Sequence, residues 1–362
     1  MSDSAAPGAG APVGLAVIGA GYWGPNLVRN ALATPAVRLE WLCDLDLARA
    51  HAVLGPYSTV RATASVDEVL ADERVHAVAV ATPAATHLDV VLAALESGKH
   101  VLVEKPLAST LADGTKLVAT AEQHGLVLML DHTYCYTPAV QRLRSLVRGG
   151  ELGTLQYVDS VRINLGLVQR DIDVLWDLAP HDLSILDSIL PDGVTPVAVA
   201  AHGSDPIGAG HACVAYLSVQ LSTGAMAHVH VNWLSPTKIR TMILGGSART
   251  VVWDDLNPAQ RLAVYDRGVD RTGPGLVAPE VRERAQVSYR IGDMVAPTLP
   301  EREALRAVMS EFAASIAERR APLTDGRAGL RVLALLEAAS ASLANGGAFV
   351  PVEHGDPLGG RP

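Results

Sequence analysis

Two short segments carry side chains suited to moving a proton and stabilising charge at a carbon–oxygen bond. In Glu104-Lys105-Pro106, the lysine follows a buried-looking run, where it could hold a substrate oxygen by its charge. Asp177 and His181 have i, i+4 spacing, which puts both side chains on one face of a helix. Imidazole titrates near neutrality, so His181 suits proton transfer with a hydroxyl, while Asp177 could orient it or bind a neighbouring hydroxyl. The alternatives are a surface lysine beside a turn proline and a half-buried structural histidine.

Pro180 and Asp182 belong to the same segment. Proline fits only the first turn or a kink of a helix, which indicates a site near the helix start. We interpret Asp182 as compensating the helix dipole.

Three glycines, Gly19, Gly21 and Gly24, form a GxGxxG pattern between an apolar strand and a helical run. Gly19 permits the tight turn, Gly21 lets the backbone approach a pyrophosphate, and Gly24 allows close packing of helix and strand. Free N–H groups and the dipole at the helix start favour the phosphates. The alternative is a structural glycine-rich turn, but the strand–turn–helix context favours dinucleotide binding.

Asp44 ends the second strand, 20 positions after Gly24. A carboxylate there accepts hydrogen bonds from the ribose hydroxyls and repels a 2′-phosphate, which favours NAD over NADP. Arg49, one helical turn further on, is the first nearby cation. Asp44 could equally serve as a helix N-cap, and the two roles do not exclude each other.

Histidines elsewhere carry weaker signals. His87 lies one helical turn after Thr82-Pro83 and could line a cofactor pocket or cap a helix start. His228 and His230 face the same side of one predicted strand, but no carboxylate or cysteine is spaced to complete a zinc site. We therefore expect no metal, and we interpret these residues, with His202 and His211, as structural or solvent-facing.

The elements that must position these residues fall into two groups. Up to about residue 131, strands alternate with helices, which predicts a parallel sheet covered on both faces. From about Thr154, strands follow one another, which predicts a mostly antiparallel sheet, closed by two terminal helices. The first group is predicted as strands Val13–Ile18, Leu39–Cys43, His76–Ala81, His100–Glu104 and Leu126–Leu130 with intervening helices. In the second group we predict a helix at Trp176–Leu190, a loop at Arg267–Pro279, and Thr324 as the N-cap of the last helix.

Composition limits the class of protein. The 362 residues indicate two or three domains, and a charged share of 19%, against about 25% in average proteins, excludes disorder of the whole. The formal net charge of −9, without a basic block, argues against nucleic-acid binding. Cys43, Cys135 and Cys213 form no framework or CxxC pair, so we expect reduced thiols in a cytoplasmic protein. No apolar run reaches the ~18 residues of a membrane span, and the start of the chain lacks a signal-peptide pattern.

The motifs together resemble the Gfo/Idh/MocA oxidoreductase family, from about residue 12 to 345. The resemblance rests on the glycine pattern, Thr82-Pro83 with His87, Glu104-Lys105-Pro106 and Asp177-x-x-x-His181. It implies an α/β fold with an N-terminal doubly wound Rossmann domain (12–131) and a C-terminal α/β domain (132–346) for substrate binding and oligomerisation. That second domain has a large open, mostly antiparallel sheet. Residues 1–11 and 355–362 would be flexible tails.

A narrower likeness links the sequence to the nucleotide-sugar branch, whose best-known type is similar to UDP-N-acetylglucosaminuronate 3-dehydrogenase. It rests on Gly21-Tyr22-Trp23-Gly24, Trp176 to Asp182, and the segment Trp233 to Arg240. The segment Asp131 to Pro138 lacks the arginine of many family members, which leaves the identity of the sugar open.

The resemblance implies the following site. Lys105, Asp177 and His181 would be catalytic, and they would also bind substrate with Tyr136, Arg162 and Asn164. The cofactor-binding residues would be Gly19, Gly21, Tyr22, Trp23, Gly24, Asp44, Thr82, Pro83, His87, Glu104 and Lys105.

We therefore expect an NAD(H)-dependent dehydrogenase or reductase that acts on the CH–OH group of a sugar, at the 3-position of a nucleotide-linked sugar in a biosynthetic pathway. It would be a homodimer or homotetramer through the C-terminal sheet. One alternative is an inositol, cyclitol or free-sugar dehydrogenase, and an alternative of another class is a non-catalytic NAD-binding regulator.

Overall fold

The computed structural model describes residues 11–170, 172–272 and 286–353. The expected tails at 1–11 and 355–362 lie outside these ranges apart from residue 11. Within the described residues, no helix is long and apolar enough to cross a membrane.

The first part of the chain forms a six-stranded parallel sheet in the order β3-β2-β1-β4-β5-β6 within the described residues. The predicted parallel sheet is confirmed. Its strands are β1 (Val13–Ile18), β2 (Val37–Cys43), β3 (Arg61–Thr63), β4 (Ala77–Val80), β5 (His100–Val103) and β6 (Leu128–Leu130). Its helices are α1 (Gly24–Ala33), α2 (Leu47–Leu54), α3 (Val66–Ala71), α4 (His87–Glu96) and α5 (Leu111–Gln123).

The strand order reverses between β1 and β4, and the carboxyl ends of the strands line one edge. In open parallel sheets, ligands bind in the crevice at such a reversal. The glycine turn, Asp44, Thr82 and Lys105 follow β1, β2, β4 and β5 respectively, so the topology brings all of them to this edge.

After β6, a short 3-10 turn (Thr133–Tyr136) leads into α6 (Pro138–Arg148) and then into a nine-stranded sheet within the described ranges. β10 pairs with β7 in parallel, and the other pairs are antiparallel. The strands are β7 (Leu155–Leu165), β8 (Pro196–Ser204), β9 (Val214–Leu221), β10 (Met226–Asn232), β11 (Leu234–Gly246), β12 (Thr250–Asp254), β13 (Leu262–Thr272), β14 (Gln286–Val295) and β15 (Val350–Pro351).

Three helices pack around the two sheets: α7 (Val174–Ile189), α8 (Ala304–Glu318) and α9 (Gly326–Ala344). α7 and α9 pack on the inner face of the nine-stranded sheet. α9 also packs on α5, and α8 packs on α1, where Phe312 joins the core of the first sheet. The last two helices therefore tie the second part of the chain back to the first.

Two local predictions are wrong. The first part of the loop predicted from Arg267 is instead the second half of β13, as far as Thr272. This segment has no alternation of apolar and polar residues, but its pairing with β14 makes it a strand. The rest of the predicted loop, to Pro279, lies outside the described residues. The N-cap of α9 is Asp325 rather than Thr324, since the Asp325 carboxylate accepts the Ala328 N–H at 2.8 Å. The Thr324 hydroxyl instead donates to the Leu130 carbonyl.

Candidate active site

The turn after β1 leaves an open cradle at the start of α1. Gly19 has a φ of +104°, which a side chain would strain, and a Cβ at Gly24 would lie 2.1 Å from the Gly19 carbonyl oxygen. A Cβ at Gly21 would meet no atom within 4 Å. No side chain caps the start of α1, where the Asn26 N–H donates to the Trp23 carbonyl at 2.9 Å. The cradle fits a dinucleotide pyrophosphate.

This difference between the glycines gives a prediction. Gly24→Ala should lower the free energy of unfolding by about 1–3 kcal/mol, because the new methyl group collides with backbone. Gly21→Ala should leave the melting temperature unchanged but weaken dinucleotide binding, because its methyl group projects into the cradle. Thermal melting with and without the dinucleotide measures both effects. Equal thermal destabilisation of the two variants without ligand would contradict this account.

The Asp44 carboxylate holds the glycine turn. Its oxygens accept hydrogen bonds from the backbone N–H groups of Ala20 at 2.7 Å and Asp46 at 2.8 Å, and the Arg49 guanidinium lies 3.7 Å away. The N-cap of α2 is Asp46, which accepts the Arg49 N–H at 3.1 Å, so the alternative that Asp44 caps this helix is wrong. The carboxylate stands at the sheet edge between the glycine turn and α2, where a ribose would lie.

The other two glycine-turn residues differ in their surroundings. Tyr22 is 95% exposed, whereas the Trp23 indole N–H donates to the Asp131 carboxylate at 3.4 Å. The turn is therefore connected to the carboxyl end of β6, three strands away from β1 in the sheet.

His87 ties two loops of the sheet edge together. Its buried ring lies between the Pro106 carbonyl, 2.8 Å from Nδ1, and the Thr82 carbonyl, 3.0 Å from Nε2. Both ring nitrogens face backbone oxygens, so the expectation that His87 lines the cofactor pocket is corrected: the ring positions Thr82-Pro83 against the segment that carries Lys105. Burial lowers its pKa, although the carbonyl contacts oppose this shift.

Lys105 meets α7 at Asp177. Its ammonium donates to the Asp177 carbonyl oxygen at 2.7 Å and to the carboxylate at 3.1 Å. The second carboxylate oxygen accepts the Trp233 indole N–H at 3.0 Å. Asp177 therefore orients Lys105, and the expectation that it orients His181 is wrong. The i, i+4 spacing correctly predicts that Asp177 and His181 share one helix face. The Asp177 carboxylate, however, pairs with Lys105 from the first sheet.

His181 lies half-buried beside this pair, seven residues after the first residue of α7, and Pro180 is inside the helix rather than in its first turn. Its ring packs edge-on against Tyr134, with 5.2 Å between ring centroids. Burial, and next the charge of Lys105, holds its pKa well below the usual value, with further contributions from Arg162 and Arg240. The imidazole is therefore neutral near pH 7.

Arg162 and Asp182 form a buried ion pair behind His181. The guanidinium donates to both carboxylate oxygens, at 2.6 and 3.1 Å, and Ser160 donates to the same carboxylate at 2.8 Å. The expectation that Arg162 binds substrate is corrected, because its side chain is buried and paired. The interpretation of Asp182 as a dipole-compensating residue is wrong for the same reason. Removing one partner of such a pair costs about 3–5 kcal/mol.

Tyr134 takes the place that we assigned to Tyr136. The Tyr134 ring lies under the Arg162 guanidinium at 4.4 Å and contacts His181. Tyr136 is buried in the core, and its hydroxyl lies 3.0 Å from the Thr324 hydroxyl, so it does not face the site. Asn164 lies near the end of β7, half-exposed.

Sequence reasoning missed Asp131 and His132, which follow β6. Each is 2% exposed, and burial together with the charge of Lys105 lowers the pKa of His132 to about 3. Their position in the sequence could have indicated them. Asp131 and His132 directly follow β6, just as Glu104 and Lys105 directly follow the neighbouring strand β5.

Unpartnered buried polar atoms are concentrated here. In the described part of the chain, nine buried side-chain polar atoms lack a hydrogen-bond partner. Six of the nine belong to Glu104, His132, His181, Arg240 and Trp253, which surround Lys105 and Tyr134. Because buried polar groups are normally paired, this concentration marks a place built to receive a polar ligand. No group of three or more metal-ligating side chains occurs among the described residues.

Comparison with known proteins agrees with this geometry. Residues 13–132 match the model of the Gfo/Idh/MocA oxidoreductase family with an NAD-binding Rossmann fold. UDP-N-acetylglucosamine 3-dehydrogenase of Acidithiobacillus ferrooxidans is 32% identical over 319 residues, 88% of this chain and 93% of that protein. Inositol 2-dehydrogenase of Rhodococcus erythropolis is 27% identical, over 76% of this chain and 80% of that protein.

Two solved structures extend the likeness to nearly the whole chain. The Acidithiobacillus ferrooxidans enzyme, GnnA, superposes with a TM-score of 0.76 at 30% identity, covering 92% of this chain and 97% of that one. GenD2 from gentamicin A biosynthesis, solved in complex with NAD, gives a TM-score of 0.77 at 26% identity, covering 94% and 96%.

Proposed function

The chain belongs to the Gfo/Idh/MocA oxidoreductase family, and on that basis we propose that it transfers a hydride between NAD and a carbinol or ketone carbon of a nucleotide-linked sugar. One observation carries the proposal: Lys105 at the end of β5 and Asp177 on α7 meet at 3.1 Å beside the neutral His181. A cation close enough to a neutral imidazole for its charge to act on it is what carbinol oxidation requires.

The glycine cradle and Asp44 would hold the dinucleotide, which accepts or returns the hydride when bound. His181 takes the hydroxyl proton as the carbon–oxygen double bond forms. Lys105, held by the Asp177 carboxylate, stabilises the negative charge that develops on the substrate oxygen. In the reverse direction, His181 returns the proton to the alcohol. Asp177 acts as a positioning residue for Lys105.

For the substrate we propose a nucleotide-linked sugar, oxidised or reduced at its 3-position within a biosynthetic pathway. The likeness to a UDP-N-acetylglucosamine 3-dehydrogenase along 88% of the chain supports this choice. The runner-up is a cyclitol such as inositol, which the likeness to an inositol 2-dehydrogenase supports. A non-catalytic regulator is disfavoured because it has no need of a paired lysine beside a buried neutral imidazole.

A thermal-shift panel of UDP-sugars, dTDP-sugars and inositols, with NAD present, tests the substrate class. A ligand at 100 times its dissociation constant should stabilise the protein by about 2.7 kcal/mol. Each ligand that stabilises the protein is then incubated with the protein and NAD, and the absorbance of reduced nicotinamide is measured. A shift with inositols but not with nucleotide sugars would replace the proposal by its runner-up, and a shift without any absorbance change would favour the regulator.

Asp44 gives a prediction about the cofactor. We propose NAD, because the carboxylate at the ribose position repels a 2′-phosphate. Asp44→Asn, which keeps an oxygen acceptor for the Ala20 N–H, should lower the preference for NAD over NADP by about tenfold, or about 1.4 kcal/mol. Fluorescence titration with both dinucleotides measures the ratio, and the helix-capping Asp46→Asn is the matched control. An unchanged ratio in Asp44→Asn would contradict the assignment.

We also propose a homo-oligomer, dimer or tetramer, through the outer face of the nine-stranded sheet. Tyr157, Tyr216 and Met226 are about 40% exposed on β7, β9 and β10, and the Tyr216 ring stacks on His230 at 4.4 Å. Tyr216→Glu should lower the solution mass measured by light scattering. Tyr57→Glu, at an exposed position of the first domain, should not. A monomeric wild-type protein would refute the interface.

A further inference from the structure

Two carboxyl groups meet at the ends of β5 and β6. The strands pair in parallel with Val103 opposite Leu130, and the Asp131 N–H continues the ladder to the Val103 carbonyl. The next register position therefore sets Glu104 opposite Asp131, and the one after it sets Lys105 opposite His132. The two carboxyl groups therefore lie side by side at the ends of neighbouring strands, within reach of a shared hydrogen bond.

A hydrogen bond between two carboxyl groups requires a proton. Asp131 already accepts from the Thr133 hydroxyl at 2.6 Å and from the Trp23 indole N–H at 3.4 Å, which identifies it as the ionised partner. The Glu104 oxygen Oε1 is buried and accepts no hydrogen bond, as suits a protonated acid. Burial, and next the charge of Asp131, raises the pKa of Glu104, while Lys105 opposes this shift. The proton belongs to the pair as a unit.

We propose that Glu104 and Asp131 share a single proton and act as a positioning pair, whose one negative charge holds Trp23 of the glycine turn while Lys105 remains paired with Asp177. The functional half of this statement rests on the proposed dehydrogenase activity. A doubly ionised pair would compete with Asp177 for the adjacent ammonium. The shared proton prevents that competition, so the lysine keeps the orientation set from α7.

The groups that face the pair determine how it titrates. On β5 the neighbour is Lys105, whose positive charge lowers the pKa of Glu104 but does not cancel the effect of burial. On β6 the neighbour is His132, whose pKa of about 3 leaves it uncharged. From α1 and the turn after β6, Trp23 and Thr133 donate hydrogen bonds and carry no charge.

The shared proton is tested on the protein without cofactor or substrate. Because the folded state binds a proton that the unfolded Glu104 releases above about pH 4.3, the contribution of Glu104 to the free energy of unfolding should fall as pH rises from about 5 to about 8. Glu104→Gln, which keeps the neutral donor, should melt at a higher temperature than wild type, by a margin that grows with pH. Wild type should also show the infrared carbonyl band of a protonated acid at neutral pH, and Glu104→Gln should lack it. Glu96→Gln replaces an exposed carboxyl group in the same domain and is the control. The difference between its melting temperature and that of wild type should not change with pH.

The positioning role is tested by turnover. The kcat of Glu104→Gln should exceed that of Glu104→Leu by about tenfold or more, since only the amide can still donate to Asp131. If Glu104→Leu does not fold, Asp131→Asn takes its place, because it removes the negative charge and one of the two oxygens that accept from Trp23 and Thr133.

Each outcome decides one half of the proposal. The claim of a shared proton is overturned if the melting-temperature difference between Glu104→Gln and wild type does not change with pH and wild type shows no protonated-acid band. Equal kcat in the glutamine and leucine variants overturns the positioning role. Since the melting and infrared measurements need no substrate, they keep their meaning if the proposed activity fails.

Discussion

Lys105→Ala should lower kcat/KM by about 10²–10⁴-fold, with most of the loss in kcat. The ammonium is held by Asp177. In the proposed mechanism its loss removes the positive charge that stabilises the developing oxyanion. Dinucleotide affinity should change far less, because the cradle at Gly21 and the Asp44 carboxylate are untouched. Steady-state kinetics with the substrate found in the ligand panel, and fluorescence titration of the dinucleotide, separate the two effects.

The matched control is Lys116→Ala, an exposed lysine on α5 that should keep full activity. Lys105→Ala also leaves the Asp177 carboxylate with only the Trp233 indole, which should cost about 1–3 kcal/mol of stability, so melting must be recorded beside the kinetics. Near-normal turnover in the double variant Lys105→Ala/His181→Ala would refute the catalytic assignment.

The sequence predicted the sheet edge because local rules govern it. A glycine turn followed by a helix start, and an acidic residue at the end of the second strand, each depend on neighbours a few positions away. Parallel order then forces Gly19, Asp44 and Lys105 to one edge of the sheet. These parts of the fold and site follow from short-range pattern and from the handedness of strand–helix–strand units.

The errors came from contacts between distant segments. Asp177 and His181 share a helix face as their spacing predicts, yet Lys105, 72 positions before Asp177, takes up the carboxylate. The sequence favoured Asp182 as a residue that compensates the helix dipole, whereas in the structure it pairs with Arg162 on β7. Nothing within a few residues of either aspartate signals its partner.

Tyr134 and Tyr136 illustrate the same limit at finer scale. Both lie in one short 3-10 turn, and only its orientation decides which ring faces His181 and which enters the core. That orientation is fixed by the Thr324 hydroxyl, which meets Tyr136 from 188 positions away. The sequence therefore predicts an aromatic residue near this position of the site. It does not predict which of the two tyrosine rings faces His181.

His181→Asn should lower kcat by about 10²–10⁴-fold and should also change the shape of the pH profile. In the wild type, burial and the charge of Lys105 keep the pKa of His181 well below its usual value near 6.5, so the imidazole stays an available proton acceptor through neutral pH. The acid limb of kcat/KM should therefore lie below about pH 6.5. The asparagine variant keeps polarity and size but cannot accept the proton, and its residual rate should lack that limb.

The same shift has a consequence for stability. Because the unfolded chain protonates its histidine near pH 6.5 while the folded chain resists it, the contribution of His181 to the free energy of unfolding should fall as pH drops below about 6.5. His181→Asn should show a shallower fall, and His124→Asn, at an exposed position, should match wild type in both stability and rate. If His181→Asn kept the acid limb of the rate profile, the proton acceptor would have to be another group. The joint loss of the acid limb and of this stability slope in one variant would assign both to the same imidazole, held neutral by the fold so that it can take the proton of the carbinol.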